Sequence, residues 1–296
     1  MSFKSGFVSI IGRPNVGKST LLNKLTGEKI AIISNKPQTT RNKIRAVVTD
    51  DKYQVVFIDT PGIHLPKTKL GNYMVNVAKN SMNEADTILF MVDAEDKRPG
   101  VGEKAIIEDL KSSGANIFLI INKIDTIKKD SILEIINNYK DIAEFKEIIP
   151  LSALNGDGVD YLLEEIKKLL PEGPKYFSDE DWTDQPEKVV VAELIREKLL
   201  RFLDDEIPHG IGVEILNFKE REGKDIIDIQ ANIYCDKGSH KSIIIGKNGS
   251  MIKKVGSLAR EDAEKILGSK IFLETHVKVK PGWKNSSSML KQLGYE

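Results

Sequence analysis

A glycine-rich octapeptide near the amino terminus, GRPNVGKS at residues 12–19, limits the folds open to the first half of the chain more than any other segment. It lies between the apolar run 7–11, typical of a buried strand, and the helix-like run 20–25. Its glycines let backbone N–H groups turn inward, and the following helix adds its positive dipole end. The pattern predicts a phosphate-binding loop, in which Lys18 reaches the β- and γ-phosphates and the Ser19 hydroxyl ligates Mg²⁺. The alternative is an ordinary glycine-rich turn. We assign the whole loop to the ligand: Gly12, Arg13, Pro14, Asn15, Val16, Gly17, Lys18 and Ser19.

An acidic motif follows one predicted hairpin later. The β-like runs 44–49 and 53–58 are joined by a short polar turn, which suits an antiparallel pair, and the second run ends in Asp59. An acid at the end of a buried strand facing a phosphate loop can hold Mg²⁺ through water, and Gly62 supplies an N–H for a γ-phosphate oxygen. The same residues also suit a simple turn, and their position after the phosphate loop favours the ligand reading. The assigned residues are Asp59, Thr60, Pro61, Gly62 and Ile63.

A third motif is specific for one nucleobase. The apolar run 115–121 ends in Asn122, Lys123 and, two positions on, Asp125. The Asp125 carboxylate can accept hydrogen bonds from guanine N1–H and its 2-amino group, which adenine cannot supply. Asn122 can tie the loop, and the Lys123 stem can lie along the base. After the next predicted strand, Ser152 and Ala153 follow, and the Ala153 N–H is a candidate reader of guanine O6.

Strands and helices alternate throughout this half, with each motif at the carboxyl end of a strand. This alternation predicts an α/β fold with an open, mixed but mostly parallel sheet. We therefore place one domain at residues 1–172 and a linker at 173–188. The segment 171–188 has three prolines and six acids against two lysines, a composition typical of a domain boundary.

The remaining residues, 189–296, predict a second, α+β domain. Its order is helix, two strands, helix, Gly-Lys-Asn-Gly at 246–249, helix and strand, which resembles a KH domain of the second topological type. Two glycines allow a nucleic-acid backbone to approach, and helix N–H groups can face its phosphates. The alternative is a tight turn between two core helices. We expect the RNA site to use an isoleucine, the glycine-rich loop, nearby lysines and one aromatic ring for stacking: Ile245, Gly246, Lys247, Asn248, Gly249, Lys253, Lys254 and Trp283.

Charge and composition limit the kinds of partner and the cellular compartment that we expect for this chain. The formal net charge is zero, so a nucleic acid must be met by a local basic patch, and residues 237–254 carry lysines but no acid. We expect RNA rather than DNA, and a monomer. The chain has one cysteine, Cys235, and no apolar run of transmembrane length, so we expect a cytoplasmic protein, with peripheral contact to the cell membrane still open.

Taken together, the motifs resemble one family. The phosphate loop, a threonine, Asp-x-x-Gly, Asn-Lys-x-Asp and Ser-Ala occur in the order found in translation-factor-related GTPases. The KH-like half and the tail, which includes residues 277–284, resemble the members that act in bacterial ribosome assembly. The resemblance implies GTP hydrolysis with Mg²⁺, and a switch threonine that meets Mg²⁺ and γ-phosphate, either Thr40 or Thr39. It also implies binding to the 3′ end of small-subunit (16S) ribosomal RNA during maturation of the 30S subunit.

One departure bears on hydrolysis. Ras-like enzymes place a water-orienting glutamine where this chain has Ile63, so we expect slow intrinsic turnover. In similar GTPases an asparagine at the position of Asn15 helps to hold K⁺, which predicts stimulation by K⁺ and a catalytic role for Asn15 beside Lys18 and Thr40. The alternative is that Asn15 only braces the loop.

Two rival functions remain. The first is an RNA-binding scaffold with a structural, barely hydrolysed guanine nucleotide. The second is the GTPase subunit of an RNA-modifying enzyme, which would need a catalytic cysteine or acid–base pair in the second half. Cys235 lies in an apolar run that predicts a core position.

Overall fold

A computed structural model describes residues 2–34, 36 and 38–295 of the chain. They divide into two compact units, of which the first takes in residues up to 33, 40–67 and 71–184 and the second takes in 34–39, 68–70 and the residues from 185 onward. The main boundary along the chain thus follows Asp184, inside the predicted linker. Positions 35 and 37, which precede the candidate switch threonines Thr39 and Thr40, lie outside the described residues. Among the residues described, no helix combines the length and apolar character needed to cross a membrane.

The first unit is built on a six-stranded sheet in the order β2-β3-β1-β4-β5-β6. All neighbouring pairs are parallel except β2 with β3, which is the predicted antiparallel hairpin. Its elements are β1 (Lys4–Gly12), α1 (Lys18–Thr26), β2 (Ile44–Thr49), β3 (Tyr53–Asp59), α2 (Lys69–Asn83), β4 (Thr87–Asp93), α3 (Val101–Lys111), β5 (Asn116–Asn122), α4 (Lys129–Tyr139), β6 (Glu147–Leu151) and α5 (Val159–Leu169). The predicted α/β class with a mostly parallel sheet is confirmed.

Both faces of this sheet are covered, because the middle of each central strand is apolar and buried. On β1, Ile10 belongs to one buried cluster and Ile11 to the other, as expected for alternating side chains on a strand. Helices α1 and α5 contribute Leu21 and Leu162 to the first cluster. A sheet covered on both sides leaves the carboxyl ends of its strands as the natural place for a ligand.

The second unit is a three-stranded sheet with helices. Its elements are α6 (Glu187–Phe202), β7 (Gly212–Glu220), β8 (Ile226–Cys235), α7 (Gly238–Ile245), α8 (Ser250–Leu267), β9 (Lys270–Val279) and α9 (Ser287–Gln292). Strand β8 is central, antiparallel to β7 and parallel to β9. Cys235 is buried in its core, in agreement with the sequence analysis. The element order is the one predicted for a KH domain.

Two helices were not assigned from the sequence. Helix α2 had a recognisable signal, since Leu70, Met74, Ala78 and Met82 recur every four residues and are buried. Helix α9 is only six residues long, and its capping residue, Ser286, accepts a hydrogen bond from the Met289 N–H at 3.4 Å. Such a short segment has no periodic pattern from which a helix can be predicted.

Candidate functional site

The phosphate loop joins β1 to α1 and has room for glycine alone at two positions. A Cβ on Gly12 would lie 2.3 Å from the Met91 carbonyl oxygen. Gly17, the residue before α1, has a φ of +100°, and a Cβ there would lie 2.2 Å from Nδ2 of Asn122. Both glycines are therefore required by the close packing of the loop against β4 and β5.

Lys18 is buried inside this loop. Its Nζ donates hydrogen bonds to the carbonyl oxygens of Gly12 at 3.3 Å and Arg13 at 2.9 Å. Burial lowers the pKa of Lys18 to about 8, although the charge of Asp59 acts in the opposite direction. A cationic amine held by carbonyl oxygens in a desolvated loop is prepared for an anionic ligand, whose charge would restore the pKa.

Three side chains with oxygen atoms, those of Ser19, Thr40 and Asp59, meet at the amino-terminal end of α1. The hydroxyl groups of Ser19 and Thr40 donate to Oδ2 of Asp59 at 2.7 and 3.1 Å, and the two hydroxyl oxygens lie 3.0 Å apart. Asp59 is buried, burial raises its pKa, and its Oδ1 has no hydrogen-bond partner. A buried, unpaired carboxylate oxygen beside two hydroxyls is a hard-oxygen donor set that fits Mg²⁺.

The geometry also separates the two threonine candidates. Thr40 belongs to this oxygen cluster. The Thr39 hydroxyl instead donates to the carbonyl oxygens of Lys36 at 2.6 Å and Ser34 at 3.3 Å. Of the two, Thr40 is the residue placed to meet a cation held by Ser19 and Asp59.

The acidic motif lies directly against the phosphate loop. The Ile63 N–H donates to the Gly12 carbonyl oxygen at 3.1 Å, and the Thr60 hydroxyl donates to that of Ile10 at 2.7 Å. A Cβ on Gly62 would lie 2.6 Å from the Pro14 backbone, so this contact depends on glycine. The Ile63 side chain is buried in a hydrophobic cluster and offers no polar group to a water molecule.

The predicted base-reading loop is tied to the phosphate loop by Asn122. Its Nδ2 donates to the Val16 carbonyl oxygen at 2.7 Å, and its Oδ1 accepts from the Ala153 N–H at 2.9 Å. The Ala153 N–H, expected to read guanine O6, is thus engaged by Asn122 in this structure. Asp125 lies exposed in a short 3₁₀ turn, and Lys123, with a φ of +67°, pairs with Asp93.

Sequence reasoning missed the partners of Arg13. The Arg13 guanidinium pairs with Glu103 at 2.9 Å and with Asp96 at 3.2 Å. The hydrogen bond to Glu103 raises the pKa of Arg13, and Glu103 also accepts from the Gly100 N–H at 3.0 Å, at the start of α3. Nothing in the spacing of these residues signals the pairing, because it depends on how α3 folds back beside the loop.

In the second unit, the Gly-Lys-Asn-Gly turn joins α7 to α8. Gly246, Asn248 and Gly249 have φ angles of +73°, +52° and +76°. A Cβ on Gly246 would lie 2.7 Å from the Met251 Cβ, whereas Gly249 has open space around it. Gly246 is therefore required for packing against Met251 within the protein. Gly249 leaves its backbone open to an approaching ligand.

An open groove lies between α8 and β9. Its volume is about 290 Å³, and its lining combines apolar, hydroxyl and cationic groups: Ile252, Lys253, Gly256, Ser257, Arg260, Leu273 and Thr275. Of these residues, Lys253 is predicted from the sequence, whereas Ser257, Arg260 and Thr275 are not, because only the folded chain brings α8 against β9. Ile245, the last residue of α7, is half-buried, and Lys254 on α8 is exposed with its Nζ 4.1 Å from the Phe202 ring centroid.

The prediction that Trp283 stacks on RNA bases is wrong for this structure. Its side chain is fully buried, and its Nε1 donates to the Gly210 carbonyl oxygen at 2.9 Å. An indole whose faces are covered by protein has none left for a base. In the sequence, Lys278, Lys280 and Lys284 around Trp283 are typical of a binding surface, but the folded tail uses Trp283 as a core residue.

Comparisons with known proteins identify the domain type of both units. A family profile described as "50S ribosome-binding GTPase" matches residues 7–123, and a KH-domain profile matches residues 206–284. The GTPase Era of Ruminiclostridium cellulolyticum is 60% identical over 100% of this chain and 99% of its own length. The GTPase Era of Alkaliphilus metalliredigens is 56% identical over 100% of both chains.

Two solved structures of Era proteins are also similar. A variant of Aquifex aeolicus Era bound to GDP·AlF4⁻ has a TM-score of 0.95, 40% identity and 99% coverage of both chains. Era in complex with MgGDPNP and nucleotides 1506–1542 of 16S ribosomal RNA has a TM-score of 0.93 with the same identity and coverage. The predicted family, the GTPase and KH domains and the GTP-hydrolysing activity are thereby confirmed. This chain belongs to the Era family of GTPases.

Proposed function

We propose that this GTPase is a nucleotide-dependent switch that binds the 3′ end of 16S ribosomal RNA and assists assembly of the 30S subunit. The observation that carries the proposal is the likeness, over 99% of both chains, to an Era protein in complex with a 16S ribosomal RNA fragment. The "50S" in the family description belongs to a broad profile that covers only residues 7–123 and omits the KH unit. A partner of the 30S subunit works in the cytoplasm, and the proposal requires no membrane contact.

The nucleotide site is proposed as follows. Backbone N–H groups of the phosphate loop and Lys18 hold the phosphates, and Asp125 reads guanine. Ser19, Thr40 and Asp59 hold Mg²⁺, supported by their mutual distances of 2.7 to 3.1 Å and the unpaired Oδ1 of Asp59. When bound, Mg²⁺ neutralises charge on the β- and γ-phosphate oxygens. Asn122 holds the phosphate loop and the loop at Ala153 in place through its hydrogen bonds to Val16 and Ala153.

The RNA site is proposed at the Gly-Lys-Asn-Gly turn and the groove beside α8. The supporting observations are the exposed Lys247 and Lys253, the open backbone at Gly249 and the groove whose lining includes Arg260. Lysine charges attract phosphates in a salt-dependent way, while the glycine-rich turn lets the RNA backbone come close. GTP would hold the loops around Thr40 and Gly62 closed and thereby increase RNA affinity.

The test uses a 16S 3′-end oligonucleotide and charge reversals on α8 and its preceding turn. Lys247→Glu and Lys253→Glu should each weaken binding tenfold or more and lower the salt slope by about one. Lys265→Glu is the matched control, because Lys265 is exposed on the same helix about 24 Å from the turn. Gly246→Asp is unsuitable, since its Cβ would collide with Met251. Equal loss in all three variants would contradict the proposed site.

RNA affinity should also be higher with a GTP analogue than with GDP. Equal affinities would remove the switch from the proposal. The scaffold alternative is tested by phosphate release over many turnovers, with and without the oligonucleotide. A single turnover per protein under both conditions would favour the scaffold.

A further inference from the structure

Residues 171–184, which include most of the predicted linker, are bound along the first unit as a strap. At its start, the Ser5 N–H donates to the Pro171 carbonyl oxygen at 3.0 Å, and the Ser5 hydroxyl donates to that of Pro174 at 2.7 Å. The Tyr176 ring lies 4.8 Å from the Phe7 ring, between centroids. The strap is thus fixed on β1.

The middle of the strap is held by a buried amide. Gln54 on β3 is fully buried, and its Oε1 accepts from the N–H groups of Tyr176 at 2.7 Å and Phe177 at 3.0 Å. Its Nε2 donates to the Phe177 carbonyl oxygen at 3.0 Å. One side chain therefore satisfies three backbone groups of the strap, which makes this an anchored segment and not a free connection.

The end of the strap pairs with the edge strand β2. The Val47 N–H donates to the Trp182 carbonyl oxygen at 3.1 Å, and the Thr183 hydroxyl donates to that of Arg45 at 2.7 Å. The Arg45 guanidinium pairs with Asp184 at 2.9 Å. We call residues 182–184 the edge clip. It covers an edge that would otherwise present unpaired backbone groups.

Sheet register places the edge clip near the proposed magnesium site. In the β2–β3 pair, Thr49 lies opposite Gln54, while Ile44 lies opposite Asp59. The strap therefore runs from the Gln54 end of the hairpin towards the Asp59 end. The clip reaches Arg45, next to Ile44, and residues 40–43 lead from Thr40 into the start of this strand.

We propose that the edge clip responds to the bound nucleotide: it is closed when Thr40 is held by the GTP-bound site and loosened when Thr40 is released. The physical reason is that the clip bonds to Arg45 and Val47, in the strand that begins four residues after Thr40. A shift of that strand must be shared by residues 182–184 or break their hydrogen bonds. The inference rests on the proposed function, which assigns Thr40 to the GTP-bound site. It deepens that function, because the strap is followed along the chain by α6 of the KH unit.

Hydrogen exchange of the full chain tests the clip without using RNA. The Val47 N–H points to the clip, so its protection measures clip closure, and the Ser5 N–H bonded to Pro171 is the internal reference. With a GTP analogue in place of GDP, Val47 should exchange at least tenfold more slowly, and Ser5 should change less than threefold. Equal Val47 exchange with both nucleotides would overturn the proposal.

A variant of the edge clip tests whether its contacts cause the difference in Val47 exchange between the two nucleotides. Thr183→Val with Asp184→Asn removes the bond to the Arg45 carbonyl and the ion pair while keeping side-chain shape. It should bring Val47 exchange with the GTP analogue to within threefold of the GDP value. Asp179→Asn is the matched control, because Asp179 pairs with Lys175 inside the strap, at 2.6 Å. A clip variant that keeps the tenfold difference would contradict the role of these contacts.

RNA affinity then separates this inference from the proposed function. The clip variant should reduce the ratio of RNA affinities with GTP analogue and GDP at least fivefold, and Asp179→Asn should preserve it. If the unaltered chain binds RNA equally in both states while Val47 still differs, the switch proposal fails but the clip remains a nucleotide sensor. If the ratio is large and the clip variant leaves it intact, the clip is not the coupling element.

Discussion

Lys18 is buried, and its positive charge is needed to bind the phosphates of the nucleotide. Nucleotide binding should therefore depend on pH. In the free protein its pKa is lowered to about 8, so the amine loses its proton as the pH rises above that value. Phosphates stabilise the ammonium form and raise the pKa again. Nucleotide binding should therefore take up about one proton at pH 9 and close to none at pH 7.

Affinity for GDP should accordingly fall with rising pH above about pH 8, by up to tenfold per unit. Calorimetry in two buffers of different ionisation enthalpy measures the proton uptake directly. A heat of binding that is independent of the buffer at pH 9 would show that Lys18 keeps its proton in the empty loop. The sign is fixed by the direction of the shift, since a lowered pKa means that the free site holds fewer protons than the occupied one.

Asn15 is the residue on which the proposed K⁺ dependence rests. It lies exposed in the phosphate loop with a φ of +66°, and Ile63 supplies no polar side chain near the reacting water. A monovalent cation would supply the missing charge during hydrolysis. Turnover in K⁺ should exceed turnover in Na⁺ tenfold or more, and Asn15→Ala should remove the difference when both rates are measured at saturating GTP. Equal rates in the two salts would leave Asn15 with a bracing role only.

At the scale of elements, the strands and their motifs were predictable because their signals are local. Apolar runs end in polar motifs at Asp59 and Asn122, and each motif proved to lie at the carboxyl end of a strand. Contacts between distant elements were not predictable. The Arg13–Glu103 pair, the groove beside α8 and the Gln54 anchor each depend on which surfaces meet after folding, and sequence spacing does not contain that information.

Trp283 illustrates the same limit and yields a prediction. From the sequence alone, a tryptophan among lysines is equally consistent with stacking on RNA bases and with packing in the core. Trp283 is fully buried, so it is a core residue of the folded tail. Trp283→Ala should lower the free energy of unfolding of the KH unit by about 3–5 kcal/mol. Trp283→Phe should cost about 1–3 kcal/mol, because the Gly210 carbonyl loses its donor. Denaturant unfolding measures both.

RNA affinity distinguishes a core role of Trp283 from a stacking role. Under conditions where Trp283→Phe remains folded, affinity for the 16S oligonucleotide should stay within twofold of the original chain. A loss of tenfold without a change in folding would restore the tryptophan to the RNA site. Lys247→Glu gives the opposite pattern, with weak binding and unaltered stability.

At the scale of the whole molecule, the division into two compact units predicts two ligand-linked unfolding transitions. A ligand stabilises only the unit whose folded form binds it. Magnesium GDP at 100 times its Kd should add about 2.7 kcal/mol to the free energy of unfolding of the first unit. The 16S oligonucleotide should act on the second unit in the same way.

Tryptophan fluorescence can follow the second unit alone, because the chain has two tryptophans and one lies in each unit. Trp182→Phe keeps the carbonyl used by the edge clip and leaves Trp283 as the reporter. In this variant the oligonucleotide should raise the midpoint of the fluorescence transition, while magnesium GDP should leave it within about one degree. If GDP raised the midpoint as much as RNA, the two units would unfold as one cooperative body, and the nucleotide would act on the RNA-binding half through its stability instead of through the clip.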